Sequence, residues 1–248
     1  MPNVIVKALS IIKNETTGVN DLVQLISCDQ ALTTEVLKIV NSAYYGFSQQ
    51  ITSMSKALPL LGMAQIKNII LAVAMKSMIT TQGGKDLWRH CIKVAVGCEM
   101  MADKLKIIDS SDAFVIGFLH DLGKMIMNLR NSKIYAKVQE ATAKGVNIIQ
   151  AEDMLIGCNH AEVGALLAKR WQLPVAVTNC IKYHHQPYAS MMQNVVYMVY
   201  AVDRLVQEQL SKEIFEPQIW KKSPIEIANP LDFREKILLK SEALLIEL

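Results

Sequence analysis

The run Gly117-Phe118-Leu119-His120-Asp121-Leu122-Gly123-Lys124 sets a histidine and an aspartate side by side among apolar residues. An ionised carboxylate in such surroundings costs several kcal/mol unless a cation compensates it. A surface loop would solvate the pair, but Phe118, Leu119 and Leu122 argue against one. The partner has to come from elsewhere in the chain, and the other histidines are the place to seek it. The sequence holds five: His90, His120, His160, His184 and His185. Each alone reads most simply as a hydrogen-bonded core residue, so the chemistry must come from the set.

His90 shares a helix face with Leu87 and Val94, at minus three and plus four. His160 precedes AEVGALLAKRW and can project from a helix N-terminus. His184 and His185 close the helix VAVTNCIKYHH, ahead of Pro187. Neighbouring helical residues point about 100° apart, so the two rings can reach different atoms of one cluster. Asp203 lies on the apolar face of VVYMVYAVDRL with Val196, Val199 and Tyr200. A salt bridge to Arg204 is the simple explanation for it, although Arg204 points elsewhere on that helix. Together His90, His120, Asp121, His160, His184, His185 and Asp203 offer more donors than one zinc ion takes. They suit one octahedral ion with outer partners, or two ions sharing a bridging carboxylate. Mixed imidazole and carboxylate ligands favour iron, manganese, nickel or zinc over calcium or magnesium. Such a cation answers the cost of Asp121. Lys124, one turn after His120, either places its ammonium over the same site or is an ordinary solvated residue near a helix end. Cys180, one turn before His184, and Cys158, two residues before His160, read as thiolate ligands or, more simply, as small buried filler.

The elements that must position these residues are helical. In QALTTEVLKIV, Leu32, Val36, Ile39 and Val40 form one helical stripe, and comparable stripes run through QIKNIILAVAMKSMI, DLWRHCIKVAVGCEMM, AEVGALLAKRW and VVYMVYAVDRLV. Gly46, Gly83-Gly84, Gly145, Pro174 and Pro187 fall between them. No strand series is apparent, and the expected class is all-α. Thr80-Thr81-Gln82-Gly83-Gly84 is the best internal boundary. It suggests an N-terminal helical bundle over residues 1–82, a second bundle over 83–210 with every histidine, and a C-terminal helical extension over 211–248. Pro217, Pro224 and Pro230 break up that extension, and its last helix is expected to start at Asn229-Pro230. Its residues Phe233, Ile237, Leu244 and Leu248 need a surface, in this chain or in a partner.

Composition narrows the function classes. With 248 residues, 51% of them hydrophobic and 20% charged, the chain can bury a sizeable core and is not disordered. A net charge of +3 is too weak a bias for nucleic acid, and Arg89, Lys93, Lys169 and Arg170 are too scattered to form a patch. No apolar run approaches the ~20 residues of a membrane helix, so no membrane association is expected. The N-terminus lacks a basic region and a cleavage site. The five cysteines are scattered with no CxxC spacing, which favours reduced thiols. These features predict a cytoplasmic protein.

The order of the donors resembles the HD superfamily of metal-dependent phosphohydrolases, with its H…HD…D pattern on a helical bundle. His160 and His184-His185 add a likeness to its two-metal members, such as the HD-GYP phosphodiesterases of cyclic dinucleotides. A closer resemblance, over about residues 15–205, is to the HDOD domain, the HD-related output domain of bacterial signalling proteins. It is carried by LISCDQALTTEVLKIVNSAYYGFSQQITSMSKALPLLGMAQIKNIIL, LWRHCIKVAV, AFVIGFLHDLGK, CNHAEVGALLAKRWQLP and IKYHHQP. Two departures stand out. Asp29-Gln30-Ala31-Leu32 replaces the usual Asp-Pro-Ala-Leu. QPYASMMQ after His185 has no Gly-Tyr-Pro, so the likeness to HD-GYP enzymes stops at the ligands. Many HDOD domains have lost ligands and act without catalysis, whereas this chain keeps all seven. The resemblance implies a bacterial signal-transduction output protein with one or two divalent transition-metal ions and other signalling proteins as partners. The alternative it implies is an active phosphohydrolase on a nucleotide or phosphodiester, with Asp121 and Lys124 as catalytic residues. There the metal would lower the pKa of water from ~15.7 towards ~7.

Overall fold

The computed structural model describes residues 30–76, 82–207 and 229–246. Cys28, Thr80, Thr81, Pro217, Pro224 and Leu248 lie outside the described residues. Among those described, the elements are helices and one short 3-10 turn, with no strand, as the hydrophobic periodicity requires. The chain divides into two compact units, one of residues 1–77 with 235–248 and the other of residues 78–234.

In the first unit, α1 (Gln30–Val40) packs on α2 (Met54–Lys76). The stripe of α1 is buried, with Val36 and Val40 fully enclosed. Met54–Val73 is, by length and composition, long and apolar enough to cross a membrane. The stretch departs from the expectation that no apolar run approaches that length, because Lys56, Gln65, Lys67 and Asn68 punctuate an otherwise apolar segment. Half of its apolar window is buried within the fold. Its helix is also broken at Gly62, whose φ of 78° favours glycine.

The second unit holds α3 (Gln82–Leu105), α4 (Ser110–Leu119), α5 (Leu122–Arg130), α6 (Ser132–Ala143), α7 (Ile148–Ile156), α8 (His160–Arg170), α9 (Val175–Tyr183) and α10 (Gln193–Leu205). Gln82, Gly83 and Gly84 form the first turn of α3. Caps set the boundaries. Asp109 accepts from Ser111 N at 2.9 Å to start α4. Asn131 ends α5 and begins α6, accepting from Ile134 N at 3.1 Å. Asn159 starts α8 by accepting from Glu162 N at 3.0 Å. The helix α10 is buried on nearly every side, from Val195 to Leu205 except at Arg204, and packs on α3, α4 and α9. A helix apolar all round has to be central. Its one carboxylate, Asp203, is therefore only 4% exposed.

The last helix, α11 (Pro230–Leu245), starts where Asn229 Oδ1 accepts from Asp232 N at 3.2 Å. The chain itself buries Ile237, Leu244 and Leu245. Lys240 also stacks over the Tyr44 ring, 4.8 Å from its centroid.

The packing of α5 on α8 matters most for the site. A Cβ at Gly123 would overlap the carbonyl carbon and oxygen of His160, so the helices approach with no room for a methyl group. Gly164 on α8 is the complementary gap, where a Cβ would lie 3.0 Å from Gly123 N and 2.7 Å from Ile181 Cγ2. Gly123→Ala is expected to push α8 away from Asp121 at ~1–3 kcal/mol, the usual cost of overpacking. For a chain of this size each kcal/mol lowers Tm by ~2–4 °C. Thermal unfolding followed by circular dichroism checks this, and a Gly123→Ala variant melting with wild type would contradict the close approach.

Candidate metal centre

Five elements of the second unit bring the donors together. His90 comes from the middle of α3, and His120 and Asp121 occupy the two-residue break between α4 and α5. His160 opens α8, His184 and His185 follow α9, and Asp203 closes α10. The break explains why consecutive residues serve one site. Asp121 has φ −100° and ψ 22°, off the helical track, and stands at the N-cap of α5 without capping it. Its carboxylate turns into the cluster instead.

Asp121 is fully buried and faces both halves of the site. Its Oδ1 lies 3.5 Å from His160 Nε2 and 3.4 Å from His184 Nε2. Its Oδ2 lies 3.3 Å from His120 Nε2, 3.9 Å from His90 Nε2 and 2.7 Å from Lys124 Nζ. Asp203 Oδ1 pairs with His90 Nε2 at 3.0 Å and lies 3.8 Å from His120 Nε2. Arg204 does not pair with it. That guanidinium lies over the Tyr200 ring, 5.4 Å from its centroid. Two ligand groups result, His160-His184-His185 and His90-His120-Asp121, with the ligand atoms of each within 4.8 Å of one another. Neither contains a cysteine. Burial pushes the Cys91, Cys98 and Cys180 thiols up, which keeps them protonated and poor ligands.

The electrostatics follow from these distances. Burial alone would raise Asp121, but the charges of His120 and Lys124 hold it well below the usual carboxylate range. Burial likewise opposes the charge of Asp203, and the His90 hydrogen bond and charge overcome it in the same direction. Lys124 is raised, because the Asp121 and Asp203 carboxylates outweigh the effect of its burial. Burial and the Lys124 charge lower His160 well below the usual imidazole value, and burial and His184 lower His185. The two rings therefore favour the neutral form that a metal ligand needs.

Hydrogen bonds behind the rings fix their orientation. His120 Nδ1 donates to Gly117 O at 2.7 Å and His184 Nδ1 to Ile181 O at 2.9 Å, since a carbonyl can only accept. The bases of both rings, their Nε2 atoms, then face the centre. His160 Nδ1 lies 2.6 Å from Glu152 Oε2, an oxygen that also accepts from His160 N at 2.8 Å. Tyr135 Oη reaches the other Glu152 oxygen at 3.4 Å. Glu152 is fully buried, and that burial pushes its carboxyl up to about 7. The sequence pattern did not single out Glu152 or Tyr135. A signal was present, because Glu152 interrupts the stripe of Ile148 and Ile156 at i+4 and i−4, as Asp203 interrupts its own.

The donors present fit a divalent ion. A neutral imidazole has one N–H. With Nδ1–H committed in His160 and His184, their Nε2 atoms meet at 3.2 Å lone pair to lone pair, and His185 Nε2 joins at 2.9 Å from His160. A cation among them turns that repulsion into shared ligation. Nitrogens about 3 Å apart are also those of neighbouring ligands on an ion with ~2.1 Å bonds. Among the described residues, His120 Nε2 and Asp121 Oδ1 are buried with no hydrogen-bond partner, one in each half of the cluster. Such orphaned groups are expensive without a ligand.

The HDOD domain profile matches residues 1–187. A protein of unknown role from Treponema pallidum is 30% identical over 191 residues, 75% of this chain and 37% of its own length. YuxH of Bacillus subtilis is 26% identical over 140 residues, 55% of this chain and 33% of its own. The chain thus spans about a third of the curated relatives it matches. An HDOD domain protein of unknown function from Geobacter sulfurreducens superposes with a TM-score of 0.81 at 22% identity, covering 100% of this chain and 92% of that one. A candidate phosphohydrolase from Shewanella amazonensis gives 0.77 at 21%, covering 100% and 93%. A candidate signal transduction protein from Marinobacter aquaeolei gives 0.80 at 18%, covering 99% and 58%. At these identities the structural likeness carries the fold.

Imidazole 15N spectra of metal-free protein at neutral pH test the ring orientations. His120 and His184 are each expected to carry a proton on Nδ1. An Nε2–H tautomer at either would mean that the ring does not present its base to the centre.

Proposed function

Given that the chain belongs to the HDOD family, we propose that it is a bacterial signal-transduction output module built around a two-ion site. The proposed ligands are His90, His120, Asp121, His160, His184, His185 and Asp203. The observation that carries this reading is the convergence of imidazole bases and carboxylates around two buried, orphaned atoms, His120 Nε2 and Asp121 Oδ1. His160, His184 and His185 would hold one ion, and His90, His120 and Asp203 the other. Asp121 would face both. Iron, manganese, nickel and zinc all accept this donor set. In the signalling reading the ions lock α3, α5, α8, α9 and α10 into one arrangement, and the output is a surface offered to another signalling protein.

A second reading, hydrolysis of a phosphoester, is favoured by one further feature. A cavity of about 530 Å³ opens onto His90, Asp121, Asp203 and Lys124. Bound ions would supply Lewis acidity there. The chain's own contributions can be assigned. Asp203 holds His90, Glu152 orients His160, and Lys124 neutralises Asp121 Oδ2 while keeping further N–H groups for a phosphoryl oxygen.

Metal per chain, measured on protein purified without chelator, tests the first reading. Asp121→Ala and Asp203→Ala are each expected to lower metal content sharply while leaving the circular dichroism of a folded helical protein. Loss of metal on acidification has a defined sense. Ligation needs neutral rings, and His160 and His185 have lowered pKa values, so they stay neutral below the ordinary ~6.5. Retention should be complete at neutral pH and fall only below that value. Wild type that holds no transition metal and gains none on soaking would sink the shared site.

Hydrolysis is decided by a broad phosphoester panel with the metal-loaded chain. If turnover is present, Lys124→Ala is expected to reduce it ~10²-fold or more with metal content unchanged, as for loss of one donor to developing charge. An active wild type whose Lys124→Ala variant is equally active would remove Lys124 from the chemistry. Loaded protein inert across the panel leaves the signalling reading alone.

A further inference from the structure

The cavity beside the cluster has a wall that the ligand set does not use. Arg89 and Lys93 stand one turn apart on α3, on either side of His90, and both line it together with Lys124 from α5. Residues four apart share a helix face, so the two cations form a strip that begins next to a proposed ligand. Lys93 is half-buried and makes no ion pair among the described residues. A partly desolvated ammonium on a cavity wall is most economically matched by an anion inside the cavity.

Charge then defines that anion. Among the described residues, three carboxylates, Asp86, Asp121 and Asp203, line the space with three cations, Arg89, Lys93 and Lys124. With His90 bound to an ion through the base of its ring, these described groups balance. Every divalent ion bound at the cluster therefore leaves two positive charges that they do not meet. A phosphodiester supplies a single negative charge, whereas two adjacent phosphates supply about three at neutral pH. Apart from His90, no lining residue among those described is aromatic, so these walls offer no platform on which a base could stack. A volume of about 530 Å³ lies within the range for small-molecule sites.

We propose that this cavity binds a compact ligand with two adjacent phosphates, one group at the histidine–carboxylate cluster beside Lys124 and the other against Arg89 and Lys93. The proposal rests on the ion reading above and narrows its ligand: recognition runs through the phosphates, and singly charged diesters are poor occupants. It holds whether the ligand is a substrate or a signal read by a non-catalytic module.

The test uses the full chain loaded with whichever of manganese, iron, nickel or zinc it retains after gel filtration, with binding followed by isothermal titration calorimetry. The probes are methylenediphosphonate, which carries two phosphonates and resists hydrolysis, inorganic phosphate and dimethyl phosphate. Methylenediphosphonate is expected to bind at least about tenfold more tightly than phosphate, with dimethyl phosphate the weakest. Lys93→Ala should weaken methylenediphosphonate about tenfold and phosphate far less, at unchanged metal per chain, and Lys93→Arg should restore most of the loss. Chelation of free metal by the probe is the same for both variants and cannot produce that difference. Loaded protein that binds methylenediphosphonate and phosphate equally, or a Lys93→Ala variant that binds as wild type does, overturns the two-phosphate site and leaves the ion reading standing. A chain that retains none of the four metals overturns both, because the charge excess never arises.

Discussion

The buried charge of Asp121 is the constraint on which the second unit depends. A carboxylate with no exposure and both oxygens turned inward is tolerable only if positive charge or hydrogen-bond donors reach each oxygen. Lys124 meets Oδ2 at 2.7 Å. Among the described residues, Oδ1 has the ring nitrogens of His160 and His184 near it, at 3.5 and 3.4 Å, too far or too poorly aimed to satisfy it. The chain's own lysine thus answers half of the problem, and the other half is where a bound ion would act. This asymmetry is the strongest physical reason to read the cluster as a ligand set and not as a polar core. A purely structural network would be expected to satisfy each of its members.

Holding the imidazoles against that carboxylate demands unusual backbone proximity, and the glycines supply it. His160 is the first residue of α8, so its ring cannot approach Asp121 unless its own backbone lies against α5, where Gly123 makes room. The other end of the same contact is held electrostatically. Glu152 on α7 receives both the backbone N–H and the ring of His160, and Tyr135 on α6 backs Glu152. Helices α6 and α7 contribute no proposed ligand, yet they set one ring's position. Each layer outward from Asp121 thus exists to fix the layer inside it.

Much of this was legible in the residues. The helical class follows from periodicity, and Asp121 and Asp203 announced themselves as acids on apolar faces. His184 and His185 were readable as a pair because adjacent helical positions diverge, and both reach His160. What was not legible depends on contacts between segments distant in sequence. The role of Gly123 appears only when the His160 carbonyl is seen against it. Glu152 carried the same local signal as Asp203 but sits in a helix of 9 residues, too short for its apolar stripe to stand out. The membrane-length stretch at Met54–Val73 is hidden in the sequence by the polar residues that interrupt it, although by length and composition it could span a membrane. Polyvalent sites and close packing are tertiary facts, and single-segment patterns report them only through residues that look out of place.

The two halves of the cluster also differ in their access to solvent, and that difference bears on what each ion would do. His160 and His184 are fully buried, enclosed by α5, α8 and α9, whereas the His90 side chain is 23% exposed and lines the cavity with Asp203. Ions whose ligands close around them serve structure, and ions that keep an open position serve chemistry or ligand capture. In the two-ion reading the His160 half therefore acts as the rivet that joins α8 and α9 to Asp121, and the His90 half is where an incoming group would be met. Arg89 and Lys93 lie on that open side, along the same helix as His90. A module could lose turnover yet keep this arrangement, because the rivet preserves the fold while the open side goes on sensing an anion. The same geometry can thus support both catalysis and signalling, and the position of the cations relative to the open half is what makes ligand recognition common to them.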